Sequence, residues 1–531
     1  MFARALSGTV LGVEAHPVAV ESHRAKGLPG LTLIGLARGA VRESAIRVKS
    51  ALLASHLKLG TERLVVNLLP AELPKEASTL DLPLAVSILA SSGIIPLASL
   101  EGRRFYGELS LGGTLEPARG GILMADLVRR SGEREILLPV MNAPEAAMIP
   151  DVKVIGVRTI SDVVGHLNGT APLSPFKSTL SFEHRFEACL GEVRGQTQAR
   201  RALEIAAAGG HNLLLLGPPG SGKTMLARRL PGLLPPLDPE EAIEVTRIYS
   251  AAGLSAGNRM VLERPFRSPH HSASEPALCG GGSRPRPGEV TLAHRGVLFL
   301  DEFPEFSRRS LESLREPIEE GVIHIARAAM SLSFPARVLL VAAMNPCPCG
   351  FFNGDGPKGR PKKRPVRPCL CSFEQVRKYR SRVSGPLLDR IDMHVLVESV
   401  PFRDFSSGEP GETSEVVRDR VLRARARQFG RLGPGRVNAS LNAKEIREGV
   451  PLSGCVLQQI ESAIEKHGFS TRAVGRMIKV ARTLADLEER DEVQAHHIAE
   501  AIEFRLLDRL PDNSQAGQLD ALRERFSGGR T

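Results

Sequence analysis

The sequence has no tryptophan and only 3 tyrosines, and aromatic residues make up 4% of its 531 positions. Stacking of successive bases on aromatic platforms is therefore disfavoured, and any nucleic acid would be held through its phosphates. Cysteine is scarce too: 7 in so long a chain do not form the disulfide framework of a secreted scaffold. The longest stretch without charge, Leu82 to Leu100, is interrupted by Ser, Gly and Pro, so neither a membrane span nor a membrane partner is expected. The first residues, MFARALSG, run into an alternating strand pattern rather than an apolar leader core, which predicts a cytoplasmic location. Acidic residues fall short of basic ones, 59 against 70, and the net charge of +11 favours an anionic partner. A hydrophobic share of 42% with 24% charged residues is ordinary for a globular chain, and the length implies several domains.

What is present is dominated by Asn212 to Met225, NLLLLGPPGSGKTM. A buried-strand run, Leu213 to Leu216, leads into Gly217-Pro218-Pro219-Gly220-Ser221-Gly222-Lys223-Thr224. The glycines allow a tight curl in which successive N–H groups face a phosphate chain. Lys223 is expected to reach the β- and γ-phosphates, and the Thr224 hydroxyl to hold Mg²⁺. Met225 to Leu230 should follow as a helix with its positive end toward the phosphates. This pattern predicts a site for ATP or GTP.

A second anchor is Gly296 to Glu302, an apolar strand ending in two carboxylates. Asp301 is expected to hold Mg²⁺ through water, and Glu302 to polarise the attacking water. A third apolar run, Arg337 to Ala343, ends in Met344-Asn345-Pro346. Between the motifs lie a long loop, Arg264 to Val290, and an alternating stretch, Glu320 to Pro335, that reads as a β-hairpin around Ala326-Arg327-Ala328. His270, His271 and Cys279 within the loop are read as polar loop contacts rather than a metal site.

The region before the phosphate loop alternates strands and helices. Ala3 to Val20 reads as a hairpin, Leu31 to Leu36 and Arg63 to Leu68 as strands, and Val41 to Leu57 as a helix. Pro74 to Gly93 reads as a loop feeding a long buried helix, and Glu135 to Leu138 and Val152 to Ile155 as further strands. This order resembles the Lon-protease-like domain. In that family a Ser before the long helix pairs with a Lys; here Asp81 stands near the expected nucleophile, with Ser78 and Thr79 out of place. The resemblance therefore implies the fold without peptidase activity, since an activated nucleophile needs a base within reach. Residues 168–185, with their Pro, Ser and Thr, form the linker.

Cys347-Pro348-Cys349 and Cys369-Leu370-Cys371 give C-x-C-x19-C-x-C. Four thiolates would satisfy a tetrahedral Zn²⁺, although C-x-C is a tighter bite than usual; reduced surface thiols are the alternative. Between the pairs run Lys358, Arg360, Lys362, Lys363, Arg364 and Arg367, and from Asp355 to Arg380 nine basic residues face two acidic ones. That run reads as a solvated loop or, on an ATPase, as a contact to nucleic-acid phosphates. From Glu412 the pattern is helical, over Val416–Phe429, Leu452–Lys466, Arg472–Arg490 and Ala495–Leu507. Asp491 and Glu492 read as the acidic start of the last of these.

Glu192 to Gln196 with the following helix resembles the adenine-side segment of an AAA+ ATPase, and Asn345 resembles sensor 1. The resemblance makes Arg390, in Ser384 to Asp392, an arginine finger for a neighbouring subunit, and Arg472 sensor 2; the alternative for Arg390 is an ion cluster with Asp389 and Asp392. The loop insert and the hairpin before sensor 1 are similar to those of the branch with magnesium chelatase and the MCM helicases. With the RSPHHSAS and NPCPCG stretches and the Lon-like front, nearly the whole chain resembles the ComM (YifB) family of magnesium-chelatase-like ATPases. The fold class implied is α/β. It comprises a Lon-like α+β domain over 1–167, an AAA+ core over 186–400 with a Cys-rich basic insert at 345–372, a helical lid over 401–510 and a loose tail over 511–531. The activity implied is ATP-driven branch migration of DNA during natural transformation, by a homo-hexamer with Mg²⁺, with recombination proteins as further partners. In such a ring Arg327 would face DNA. The alternatives are a chelatase-like ATPase that remodels protein and an ATP-dependent Lon-like protease.

Overall fold

The computed structural model describes residues 1–28, 30–35, 38–57, 63–75, 78–177, 188–254, 260–282, 285–327, 330–352, 368–399 and 411–509. The basic run Lys358 to Arg367, the end of the linker and the tail lie outside them.

The first domain is built on a seven-stranded mixed sheet. Its strands are β1 (Phe2–Leu11), β2 (Glu14–Ala25), β3 (Gly30–Ile34), β4 (Arg63–Leu69), β5 (Arg103–Phe105), β8 (Glu135–Pro139) and β9 (Lys153–Val157), in the order β3-β4-β2-β1-β5-β8-β9. A small pair, β6 (Glu108–Leu109) and β7 (Leu115–Glu116), stands apart. Alternation splits the core: Leu137 and Ile155 join the helices Arg38–Ala54 and Asp81–Ser91 on one face. Ile136, Leu138 and Val154 meet the helix Gly121–Arg130 on the other.

The second sheet has five strands, all parallel, in the order β11-β12-β15-β10-β16. They are β10 (Leu213–Leu216), β11 (Phe266–Arg267), β12 (Val297–Leu300), β15 (Leu339–Met344) and β16 (Met393–Leu396). Both faces are covered, which is why these segments read as unbroken apolar runs. Leu213, Leu215, Phe299 and Val341 pack under the helix Thr197–Gly209 and the C-terminal helices, through Val421, Ala481 and Leu484. Leu214, Leu298 and Leu340 face the insert residues Leu278 and Val290 and the hairpin residues Ile323 and Phe334. That hairpin is β13 (Val322–Arg327) with β14 (Met330–Pro335), and Arg327 opposite Met330 is its last pair.

The front domain rests directly on the second. Gly120 N–H donates to Ser250 Oγ at 3.1 Å and Arg247 pairs with Asp126 at 3.4 Å, both on the helix Pro239–Ala252. Val13 joins the cluster that holds Phe334.

Some expectations shift. The helix after the phosphate loop is only Lys223–Ala227, because Pro231 diverts the chain into a 3-10 turn at Leu230–Leu233. The last long helix is Ala495–Glu503, and it starts on a Gln494–His497 capping box, so Asp491 and Glu492 are not its first turn. The expected loop at 264–290 carries short structure, β11 and the helices Glu275–Cys279 and Glu289–Leu292. Among the described residues no helix is long and apolar enough to cross a membrane.

Candidate nucleotide-binding site

Three motifs distant in sequence meet because three neighbouring parallel strands end on the same edge. The loop Gly217–Thr224 follows β10, Asn345 follows β15, and Asp301 and Glu302 follow β12. They line one cavity of about 440 Å³, from Pro219 through Met225 with Asp301, Glu302, Met344 and Asn345. Gly222 has φ +92°, a left-handed turn that releases the helix Lys223–Ala227. Gly217 passes so close to the Val397 carbonyl that a Cβ would collide with it. Ser221 Oγ is buried and has no hydrogen-bond partner among the described residues.

Lys223 is buried, and its ammonium donates to the Gly217 and Pro218 carbonyls at 2.8 and 2.9 Å and to Asn345 Oδ1 at 3.2 Å. Burial pushes its pKa down while Asp301 pulls the other way. Thr224 Oγ1 donates to Asp301 Oδ2 at 2.8 Å. Gln196 Nε2 reaches the Ser221 carbonyl at 3.3 Å, tying the segment before the helix Thr197–Gly209 to the loop. The cavity thus presents one ammonium, loop N–H groups and a hydroxyl–carboxylate pair, a donor set that fits a polyphosphate with Mg²⁺.

A family model described as magnesium chelatase, subunit ChlI, matches residues 189–405. Models of the ChlI subunit and of its C-terminal part match residues 20–142 and 411–505. The chain is 43% identical over 506 residues to the competence protein ComM of Haemophilus influenzae, covering 94% of this chain and 96% of that one. It is also 43% identical over 501 residues to the protein YifB of Escherichia coli, again 94% and 96%. The magnesium-chelatase 67 kDa subunit of Heliobacterium mobile is 29% identical over 186 residues, 30% of this chain and 28% of that one.

The chain belongs to the ComM family of magnesium-chelatase-like AAA+ proteins. Membership makes it an AAA+ ATPase, with ATP and Mg²⁺ as the ligands the cavity suits.

In this member of the ComM family the two candidate arginines lie elsewhere. Arg390 precedes β16, and its carbonyl accepts from Asn212 Nδ2 at 3.1 Å, beside the start of β10. The phosphate loop leaves the other end of β10, a strand of 4 residues, so the two lie roughly 13 Å apart along it. Arg390 does not form the cluster with Asp389 and Asp392; it pairs with Glu319 and its side chain is 15% exposed. Asp389 instead faces Arg472 at 3.7 Å. Asp392 takes Arg476 at 2.5 Å and His211 at 3.6 Å. Burial pushes the Asp392 carboxyl up, but His211 and Arg476 outweigh it and hold the group well below the carboxylate range. Neither Arg390 nor Arg472 lines the cavity, and the C-terminal helices pack on the sheet face instead of closing over it.

The cysteines converge. Cys347, Cys349, Cys369 and Cys371 place their Sγ atoms within 4.8 Å of one another, with Cys347–Cys349 at 3.3 Å, Cys349–Cys369 at 3.5 Å and Cys347–Cys369 at 3.7 Å. Their turn abuts the phosphate loop, since a Cβ on Gly350 would collide with Pro219. Sequence reasoning missed two other contacts. His271 Nδ1 lies 2.9 Å from Glu302 Oε2. In the front domain Asp81 is fully buried, accepting from Ser44 Oγ at 2.5 Å and Arg47 Nε at 2.7 Å. Burial raises its pKa against those partners. Lys75, before the same helix, donates to the Leu73 and Gly35 carbonyls at 3.0 and 3.4 Å and to that of Pro70.

Proposed function

We propose that this ATPase is a DNA motor, a homo-hexamer that moves the branch points of recombination intermediates. The observation that carries the ring is the placement of Arg390 at the sheet edge opposite the phosphate loop. That distance keeps it from its own chain's phosphates, which supports a role in a neighbour's site once it leaves Glu319. A finger supplied in trans is worth about 10³–10⁵ in rate, so the assembled ring is the active unit. Arg472, beside Asp389 on the same side, would serve the same neighbouring nucleotide. ATP would supply the phosphoryl group, and Mg²⁺ a positive charge to offset that of its oxygens. Lys223 would compensate the phosphate charge, Thr224 and Asp301 would hold Mg²⁺, Asn345 would place the attacking water and Glu302 would orient it.

The choice of DNA is supported by the net charge of +11 and by the basic run Lys358 to Arg367. It is supported too by the full-length likeness to a protein named for competence. Arg327, at the end of the hairpin, is assigned to the strand. We also infer Zn²⁺ at the four cysteines. A tetrahedron with Zn–S of about 2.3 Å sets sulfurs about 3.8 Å apart, close to the separations from 3.3 to 3.7 Å. The front domain is assigned no peptidase role, because the Asp81 carboxylate is engaged by Arg47 and Ser44. The test is a labelled four-way or three-strand junction followed as ATP is added. Rings that bind it and hydrolyse ATP without ever moving the branch point would refute the motor. Hydrolysis indifferent to single-stranded, duplex and branched DNA would favour the protein-remodelling reading.

A further inference from the structure

Away from the phosphate loop, the C-terminal helices enclose a second cavity of about 250 Å³. It lies where the end of the helix Ser414–Leu432 and the turn Asn438–Ser440 meet the helices Ala443–Gly449 and Thr471–Leu487. Leu432, Leu441 and Val450 supply apolar lining, and Arg431, Asn438 and Arg482 supply polar lining. The exposed Gly449 completes the wall and marks its open side. Pockets for drug-sized molecules run to roughly 300–1,000 Å³, so this one suits something smaller than a nucleotide.

The polar lining carries more positive charge than it balances. Three guanidiniums gather on the fully buried Asp486 carboxylate: Arg431 at 2.7 Å, Arg482 at 2.8 Å and Arg427 at 3.9 Å. Asp491 also pairs with Arg427, but it is 94% exposed and water screens it. Asp486 has little left to offer, because Oδ2 accepts from Arg431 Nη2 at 2.7 Å and from Asn438 Nδ2 at 2.8 Å. Arg482, 1% exposed, also donates to the Arg490 and Asp491 carbonyls. Its Nε is nevertheless buried with no hydrogen-bond partner among the described residues. Burial lowers the Arg482 pKa; Asp486 opposes this, and Arg431 and Arg427 add to it. An anion in the cavity would answer both the spare donor and the surplus charge.

We infer that this cavity is a binding site for a small organic monoanion, a carboxylate on a short branched aliphatic body. The carboxylate is assigned to Arg482 and Arg431, and the body to Leu432, Leu441 and Val450. Inorganic phosphate is a poorer match, since it has no apolar part to cover those side chains. The polar lining is continuous with the bonds that hold these helices to the ATPase sheet. Asn438 Nδ2 donates to Thr483 Oγ1 at 3.0 Å, and Thr483 Oγ1 lies 2.8 Å from His211 Nε2, just before β10. An occupant should therefore brace that junction and raise the melting temperature of the chain.

The experiment is a calorimetric titration of the full chain with isovalerate and with 4-methyl-2-oxopentanoate. The phosphate loop is filled beforehand with a non-hydrolysable ATP analogue and Mg²⁺, so that it cannot take the anion. The parent should bind each carboxylate at a single site per chain, with Kd at or below roughly 10 mM, the range open to so few heavy atoms. Isovaleramide, the same shape without the charge, should bind at least about tenfold more weakly, having lost a charge-assisted hydrogen bond. Gly449→Phe should abolish binding. Gly449 is not among the left-handed glycines and a Cβ there meets nothing within 4 Å, so a ring obstructs the cavity without straining the fold. An unchanged melting temperature of that variant without ligand checks this. No saturable binding of either carboxylate to the parent overturns the site. Isovaleramide binding as tightly as isovalerate overturns it too, as does a folded Gly449→Phe that binds like the parent.

Discussion

Thr224 Oγ1 donates to Asp301 Oδ2 across 2.8 Å, joining the start of one helix to the end of a strand 77 residues on. Two oxygens held at this spacing on separate elements would give the proposed Mg²⁺ a defined position. The neighbouring groups can therefore be altered one at a time and their effects separated.

Lys223→Ala should weaken ATP binding by at least about 1.5–3 kcal/mol, the worth of a hydrogen bond to a charged group, and abolish turnover. Glu302→Gln should bind ATP with near-parental affinity and stall, because Thr224 and Asp301 remain. Titration with a fluorescent ATP analogue beside a phosphate-release assay distinguishes the two; parental hydrolysis by Glu302→Gln would remove the carboxylate from the mechanism.

Arg390→Ala should leave nucleotide affinity nearly intact and stop hydrolysis. Mixing it with Lys223→Ala chains should restore part of the rate, since each supplies the half-site the other lacks. Mixed rings, verified by differential tagging, that stay inactive would count against a finger in trans.

Elemental analysis should find about one Zn²⁺ per chain, released when Cys347 and Cys369 are changed to Ser. Because the cysteine turn abuts Pro219, stripping the metal with a chelator should also lower ATP affinity. Metal-free protein with full affinity and four freely titrating thiols would return these residues to ordinary reduced cysteines.

DNA affinity should fall steeply with salt and depend little on sequence. Replacing Lys362, Lys363 and Arg364 with Ala should reduce the slope of log K against log salt by up to about three, one per lost phosphate contact. An unchanged slope would place the DNA elsewhere on the protein.

The helix Pro239–Ala252 is fastened to the turn before β12 by Glu244, which pairs with His294 at 3.3 Å and Arg295 at 2.9 Å. The His294 bond and, against the pull of burial, Arg295 bring the Glu244 carboxyl down to about 2 from 4.5. A depressed carboxylate adds stability that is complete above its unfolded pKa and lost as pH falls through the folded one. Burial lowers the pKa of His294 as well, so protonating it also disfavours the fold on the acid side. Urea midpoints should therefore begin to drop as pH falls below 6.5, where His294 protonates first in the unfolded chain, and drop further between pH 4.5 and about 2, the part that Glu244→Gln should flatten. A profile identical to the parent's would mean the pair adds nothing.

The phosphate loop, Asp301, Glu302 and Asn345 were legible in sequence because each sits at the end of its own apolar strand, so local pattern alone locates it. Their meeting was implied by the parallel order of β12, β15 and β10. Contacts made across the chain were not legible. The Ser44–Arg47–Asp81 cluster joins two helices, and His271 reaches Glu302 from a loop with no periodicity. Arg472 was placed on the right helix, but which side of the sheet that helix covers depends on packing through Ala481 and Leu484. The early stop at Ala227 could have been read from Pro231.

The two domains share apolar cores as well as hydrogen bonds: Val13 sits among ATPase residues, and Ile243, Ala251 and Met260 pack against the front-domain cluster. Bodies joined this way melt together, so heating should produce one broad cooperative transition rather than two separable ones. Severed at Asn168 to Ser181, each half would carry an uncovered greasy face and tend to precipitate. The front domain is thus better regarded as part of the engine block than as cargo, and any stroke of the helix Pro239–Ala252 has to carry it along.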